Sequence, residues 1–217
     1  MKRVIVLSVL IALMVASFPA AALDICVGGK AGLAHSGYMG EDHKDILEAN
    51  NQKDALWIRA IVGAFVTLGL SEHLQIQPEL LLVGSGGKAV DEADPSGTYW
   101  EEKFTYLSLP VLIKGVFSFT NGDLFVFAAP AVQFALTDGS EAGTEYSGGV
   151  DLGPYPVDLA SFNFSAMAGA GYNLAIFGGD VSIELRYIQG LSKSYDIDEK
   201  HRTWSIALIG GYGYRIK

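Results

Sequence analysis

Three observations predict an all-β fold for this chain, an eight-stranded antiparallel up-and-down barrel whose strands cross a membrane. Most of the strand candidates run to ten residues or more, whereas strands of soluble proteins average about five or six. Tight turns and long loops alternate along the chain. Side chains alternate with period two, and one face of each strand is free of charge. A tilted strand needs about 9–11 residues to cross a bilayer, and no apolar run after residue 22 reaches the length of a membrane-spanning helix.

Residues 1–22 stand apart. Met1-Lys2-Arg3 is basic, Val4 to Phe18 is an apolar run too short for a comfortable membrane helix, and Pro19-Ala20-Ala21-Ala22 offers the small residues that a signal peptidase reads. The expectation is a cleaved signal over 1–22 and a barrel domain over 23–217, with a retained N-terminal anchor as the alternative. The single cysteine, Cys26, rules out an internal disulfide. Leu23-Asp24-Ile25 before it lacks the small residues of a lipidation signal, so Cys26 reads as an ordinary strand residue.

The strands are expected at Ile25–His35, Trp57–Leu70, His73–Gly84, Phe104–Phe117, Leu124–Thr137, Leu159–Ile176, Val181–Ser192 and Thr203–Ile216. Ser71-Glu72, Asn121-Gly122 and Gly178-Gly179 mark tight turns. Segments 36–56, 87–103 and 138–158 are long, and 193–202 is intermediate. Short turns at one end and long loops at the other, with both termini at the short-turn end, is the pattern of an outer-membrane barrel. Pro78, Pro110 and Pro130 fall inside strands. Proline cannot donate to a ladder, so each predicts a bulge or a missing bond.

The faces carry the membrane reading. Ile58, Ala60, Val62, Ala64, Val66 and Leu68 share one face of the second strand, and Trp204, Ile206, Leu208, Gly210, Tyr212, Tyr214 and Ile216 share one face of the last. A Lys or Arg facing lipid at mid-bilayer costs about 2–4 kcal/mol, so lipid would demand such a charge-free face. Tyr187, Trp204, Tyr212 and Tyr214 lie near strand ends, where interfacial aromatic girdles form. The alternative is a soluble periplasmic lipocalin-like binder with the apolar face turned inward. Against it stand the strand lengths and a polar face poor in charge and rich in glycine.

Loss of residues 1–22 removes Lys2 and Arg3 and no acid, leaving 13 basic and 24 acidic residues, a net charge of −11. That disfavours nucleic acid as a partner. The expected partners are outer-membrane lipid and lipopolysaccharide, together with the periplasmic chaperones and barrel-assembly machinery that would deliver a monomeric barrel to the envelope of a Gram-negative cell.

The segments GGKAGLAHS (28–36), LQIQPELLLVGSGGKA (74–89), YLSLPVLIKG (106–115) and IELRYIQGLS (183–192) resemble the PorT-like family of small bacterial outer-membrane β-barrels. Order and spacing match over nearly the whole mature chain, and QPELL and LPVLIK are the most specific pieces. The resemblance implies an eight-stranded barrel of mostly unassigned function. The link of the family's namesake to secretion is not carried over. Many outer-membrane barrels end on an aromatic residue that helps assembly; this chain ends Tyr214-Arg215-Ile216-Lys217.

The polar face carries Lys30, Arg59, Glu79, Lys114, Glu184, Arg186 and Arg215. An eight-stranded barrel has an interior just wide enough for side chains to fill, and buried charges must pair. The expectation is a salt-bridged lumen in which Glu79 and Glu184 bridge Lys114, Arg59 and Arg186. The rival reading is a narrow anion-favouring path, because basic residues are in excess.

No catalytic, cofactor or metal site is expected. His35, His43, His73 and His201 are dispersed without ligand spacing. His35-Ser36 could suggest a lipid-modifying enzyme, yet no recognisable serine-centred motif accompanies it. GGK at 86–88 has no helix after it and is not a phosphate loop. Segment 138–158 holds Asp138, Glu141, Glu145, Asp151 and Asp158 and no base. It reads as a solvated acidic loop, with cation or partner binding as the alternative. The expected role is structural or surface-interaction, with a porin-like channel for a narrow solute or an apolar ligand as the alternative.

Overall fold

The computed structural model describes residues 24–93, 99–137, 143–147, 150–155, 160–176, 178–192 and 202–216. The signal expected over 1–22 lies outside the described residues. Eight strands close a ring: β1 (Asp24–Met39), β3 (Ile58–Gly69), β4 (Leu74–Asp91), β5 (Tyr99–Phe119), β6 (Gly122–Ala135), β9 (Phe162–Ile176), β10 (Gly179–Gly190) and β11 (Arg202–Ile216). Each pairs antiparallel with the strands on both sides, and β1–β11 and β4–β5 pairing leaves no edge in the ring. Closure matters because lipid offers no partner for an unpaired backbone group.

The tight turns behave as their residues require. Gly122 (φ 147°) and Gly178 (φ 76°) occupy backbone conformations that side-chain-bearing residues rarely adopt, and they close the β5–β6 and β9–β10 turns. The three strand prolines open gaps in the ladders without shifting register. Pairing of β3 with β4 skips from Phe65↔Glu79 to Leu68↔Ile76 beside Pro78. Pairing of β4 with β5 skips from Pro78↔Val111 to Leu81↔Ser108 beside Pro110, and pairing of β5 with β6 skips from Pro110↔Ala131 to Ile113↔Ala128 beside Pro130. Each proline interrupts one neighbour only, since a strand residue aims its N–H at a single side. All three gaps fall on the flank formed by β3 to β6.

Period two sorts the side chains as lipid would. Leu33, Ile58, Ile113, Leu185 and Leu208 are each more than half exposed on the outside, while Ile61, Leu81, Phe104, Leu112, Phe125 and Ile209 are buried inside. A soluble binder with an apolar lumen and a polar exterior is therefore the wrong way out. Glycines on the inner face make room for lumen rings. A Cβ at Gly171 would stand 2.3 Å from Phe125 Cζ and 2.5 Å from the Ile183 carbonyl oxygen.

Beyond the ring, structure continues where loops were expected. The segment 36–56 contains helix α1 (Glu41–Ala49) and β2 (Gln52–Asp54), and 138–158 contains β7 (Gly143–Ser147) and β8 (Val150–Tyr155). β4 and β5 stay paired as far as Val90↔Tyr99, well past the expected strand ends at Gly84 and Phe104. With β2 on β4 and β7 on β5, the order β2-β4-β5-β7-β8 continues the same sheet beyond the ring at the long-loop end. Of the acidic residues in 138–158, Asp138, Glu141 and Asp158 lie outside the described residues.

Candidate functional site in the lumen

Inward positions succeed one another up the lumen as each strand's period dictates. Along β4 they are Gln75, Gln77, Glu79, Leu81 and Val83; along β10, Ser182, Glu184, Arg186 and Ile188. The lumen is thus layered: a polar mouth at the short-turn end, a charged layer, an apolar layer, and an aromatic cap towards the long loops.

The charged layer is a closed circuit of four residues. Lys30 Nζ donates to Glu79 Oε1 at 2.6 Å and to Glu184 Oε2 at 3.2 Å. Arg186 donates through Nη1 to Glu79 Oε2 at 2.8 Å, and through Nη2 to Glu79 Oε1 at 3.1 Å and Glu184 Oε1 at 2.5 Å. All four side chains are essentially without solvent contact. Two acids face two bases, so the circuit is neutral. Burying ions costs several kcal/mol each, and such a cluster is tolerated only when each charge is matched and hydrogen-bonded. Arg186 also lies over the Phe127 ring, at 5.1 Å from its centroid, with Met167 Sδ 3.6 Å from Nη1.

Gln77 links this circuit to Lys114. Its Nε2 donates to Glu79 Oε1 at 2.7 Å, while its Oε1 accepts from Thr67 Oγ1 at 2.8 Å and Lys114 Nζ at 3.0 Å. The Lys114 ammonium also sits 4.0 Å from the Phe125 ring centroid.

The seven sequence-selected charges therefore divide. Lys30, Glu79, Glu184 and Arg186 meet, and Lys114 joins them through Gln77. The bridge expected from Lys114 and Arg59 to the two glutamates is corrected: Lys30 takes that position. Arg59 lies nearer the long-loop end, with its guanidinium 5.9 Å from the Trp57 ring and no hydrogen-bond partner for Nε among the described residues. Arg215 stands at the opposite mouth, half-exposed, and grips Asp180 through Nε and Nη2, both at 2.9 Å. Sequence reasoning puts Gln77 on the polar face without assigning it a partner, and it passes over Phe125 and Phe127 as parts of this layer. Their inward parity was available, but parity does not say which inward residues reach one another.

Above the circuit, Ile61, Leu81, Leu112, Met167, Ile188 and Ile209 pack into one apolar cluster. Tyr38, Phe104 and Tyr106 form the next, with Trp100 against it. Tyr38 Oη donates to the Glu102 carboxylate, and Trp100 Nε1 donates to Gln52 Oε1 at 2.9 Å. Below the circuit, a cavity of about 410 Å³ opens at the short-turn end.

On the outer surface the expected aromatics separate by height. Tyr187 and Trp204 lie towards the long-loop end, and Tyr212 and Tyr214 lie near the short-turn end. Phe162 and Phe164 at the first level and Phe117 and Phe119 at the second, all exposed, were not selected from sequence. His35 and Ser36 point to opposite faces of β1, with His35 Nδ1 3.2 Å from the Trp57 carbonyl oxygen and Ser36 Oγ donating to the Gly86 carbonyl oxygen at 3.0 Å. They do not form a nucleophile–base pair.

The family model described as "Outer membrane protein beta-barrel domain" matches residues 19–196. The chain belongs to that family. It is a bacterial outer-membrane β-barrel, consistent with the closed ring and its apolar exterior. Among solved structures the barrel is similar to Neisserial surface protein A (12% identity, TM-score 0.48), covering 88% of this chain and 97% of that one. It is also similar to Ail, the attachment invasion locus protein of Yersinia pestis (11% identity, TM-score 0.44, covering 88% and 99%). A third likeness is to OprG from Pseudomonas aeruginosa (7% identity, TM-score 0.46, covering 90% and 97%). No match to the barrel was found among curated proteins.

Proposed function

We propose that this outer-membrane barrel is a closed, non-conducting anchor whose role is structural or surface-interaction, exercised by the sheet and loops above its long-loop end. The observation that carries the reading is the filled lumen. A neutral circuit of buried charges is overlain by an apolar cluster, and that in turn by aromatic side chains. An ion crossing it would have to break the circuit and then leave water altogether. The β4–β5 extension with its flanking strands supplies the surface that a partner or lipopolysaccharide would meet. Catalysis has no place in this reading, since its one suggestive pair, His35 and Ser36, is split across the wall. A finer placement among PorT-like barrels rests on QPELL (77–81) and LPVLIK (109–114), which contribute Gln77, Glu79 and Lys114 to the lumen.

Planar-bilayer recording of the purified barrel tests this. The expected trace is flat. Reproducible unitary steps whose ion selectivity changes in Arg59→Ala or Lys114→Ala would replace the anchor with a narrow transport path.

A further inference from the structure

We propose that the cavity at the short-turn mouth is a binding site for a small zwitterion, whose carboxylate meets Lys114 and whose ammonium meets the acidic rim. This goes beyond an anchoring role and does not depend on it. The cavity of about 410 Å³ has Lys114 deep in its lining, and Lys114 is 4% exposed. The chemistry of that lysine is unusual for a buried cation. Lys30 and Arg186 each reach both glutamates of the circuit, which is then neutral, so Lys114 is a buried positive charge left over. Its one hydrogen bond among the described residues goes to an amide oxygen, Gln77 Oε1, and an aromatic ring takes another side. An ammonium has three donors, and a buried charge without a counter-charge is costly. An anionic group in the cavity would supply what the protein withholds.

The rim has the opposite sign. Asp24, Glu72, Asp123 and Asp180 line the same cavity; Arg215 pairs with Asp180 and also faces Asp24 and Asp123, so four acids and one base leave the rim net negative. A simple anion must pass a net-negative rim, and a simple cation meets a net-positive floor, where Lys30 and Lys114 lie beside Glu184. A molecule carrying both charges is attracted at both ends, so discrimination comes from repulsion of the wrong species as well as attraction of the right one. Thr67, Asn173 and Ser182 add uncharged polar groups to the lining.

The test uses the whole folded barrel in detergent micelles, titrated with glycine and β-alanine as zwitterions and with acetate and ethylammonium as singly charged controls. Binding is read by chemical-shift changes of mouth amides. The expected result is saturable binding of a zwitterion, with both controls at least about tenfold weaker. Lys114→Met should weaken zwitterion binding by about tenfold or more. Should that variant fail to fold, Asp123→Asn decides, because it lies on the rim outside the circuit. It should weaken the zwitterion several-fold and leave acetate equal or tighter. Acetate binding as tightly as the zwitterions, an Asp123→Asn variant indistinguishable from the parent, or no saturable shifts in the folded parent would each overturn the proposal.

Discussion

Arg186 on β10 holds Glu79 on β4 through two parallel hydrogen bonds of 2.8 and 3.1 Å. Around the ring these strands are four steps apart in either direction, so the pair joins diametrically opposite walls. A backbone ladder binds each strand only to its neighbours. This pair, completed by Lys30 and Glu184, is what ties the barrel across its diameter.

Removing one member of the circuit should therefore cost more than removing two of opposite sign. Arg186→Met leaves Glu79 and Glu184 with Lys30 alone and is expected to destabilise by about 3–5 kcal/mol. Adding Glu79→Leu restores neutrality, and the double variant should recover much of that loss. Urea titration of the barrel folded in lipid vesicles gives the numbers. Strictly additive effects of the two substitutions would show that the charges do not act as a unit.

The outer face predicts a cost that depends on which way a residue points. Leu208 is more than half exposed on the outside of β11 and Ala207 is wholly buried beside it. Leu208→Arg should destabilise the barrel in bilayers by about 2–4 kcal/mol. A cost no greater than that of Leu208→Ala in the same vesicles would mean that this face does not meet lipid.

Two strand glycines should respond oppositely to one methyl group. At Gly171 it would collide with Phe125 and with the Ile183 carbonyl oxygen, whereas at Gly210 its nearest neighbours would be 3.9 Å away. Gly171→Ala is expected to lose about 1–3 kcal/mol through overpacking. Gly210→Ala should be neutral or gain up to about 1 kcal/mol by restricting the unfolded chain. Equal effects in the unfolding titration would contradict the close ring packing described for β9.

The proline gaps predict where the wall opens first. Backbone amides that face them on β3 to β5, those of Val66, Glu79 and Val111 opposite the three prolines, should exchange with deuterium faster than amides of β10 and β11, whose ladder is continuous from Gly179↔Tyr214 to Gln189↔Trp204. Uniform protection around the ring would sink this expectation.

The ring was legible because lipid is a severe reader. It forbids charge on alternate residues, so Ile58 through Leu68 or Ile206 through Ile216 announce both strand and orientation. The same constraint lapses above the membrane. Ser85–Asp91 and Tyr99–Lys103, with their glycines and charges, looked like loop and are paired strand. β2, β7, β8 and α1 carry no lipid signature and were missed for that reason. In the lumen, parity put the right charges inside but could not choose their partners. Whether Glu79 meets Lys30 or Lys114 depends on the stagger of strands that are not neighbours, and no local pattern encodes that stagger.

The extension of β4 and β5 carries paired strand beyond the closed ring. Within the membrane every strand has two partners. Above it, the extension of that sheet ends at β2 on one side and β8 on the other, and among the described residues each of these has a single strand partner. Closure, which frees the wall from exposed main-chain donors and acceptors, is thus undone outside it. The result is an open sheet standing on a closed one, bounded among the described residues by β2 and β8.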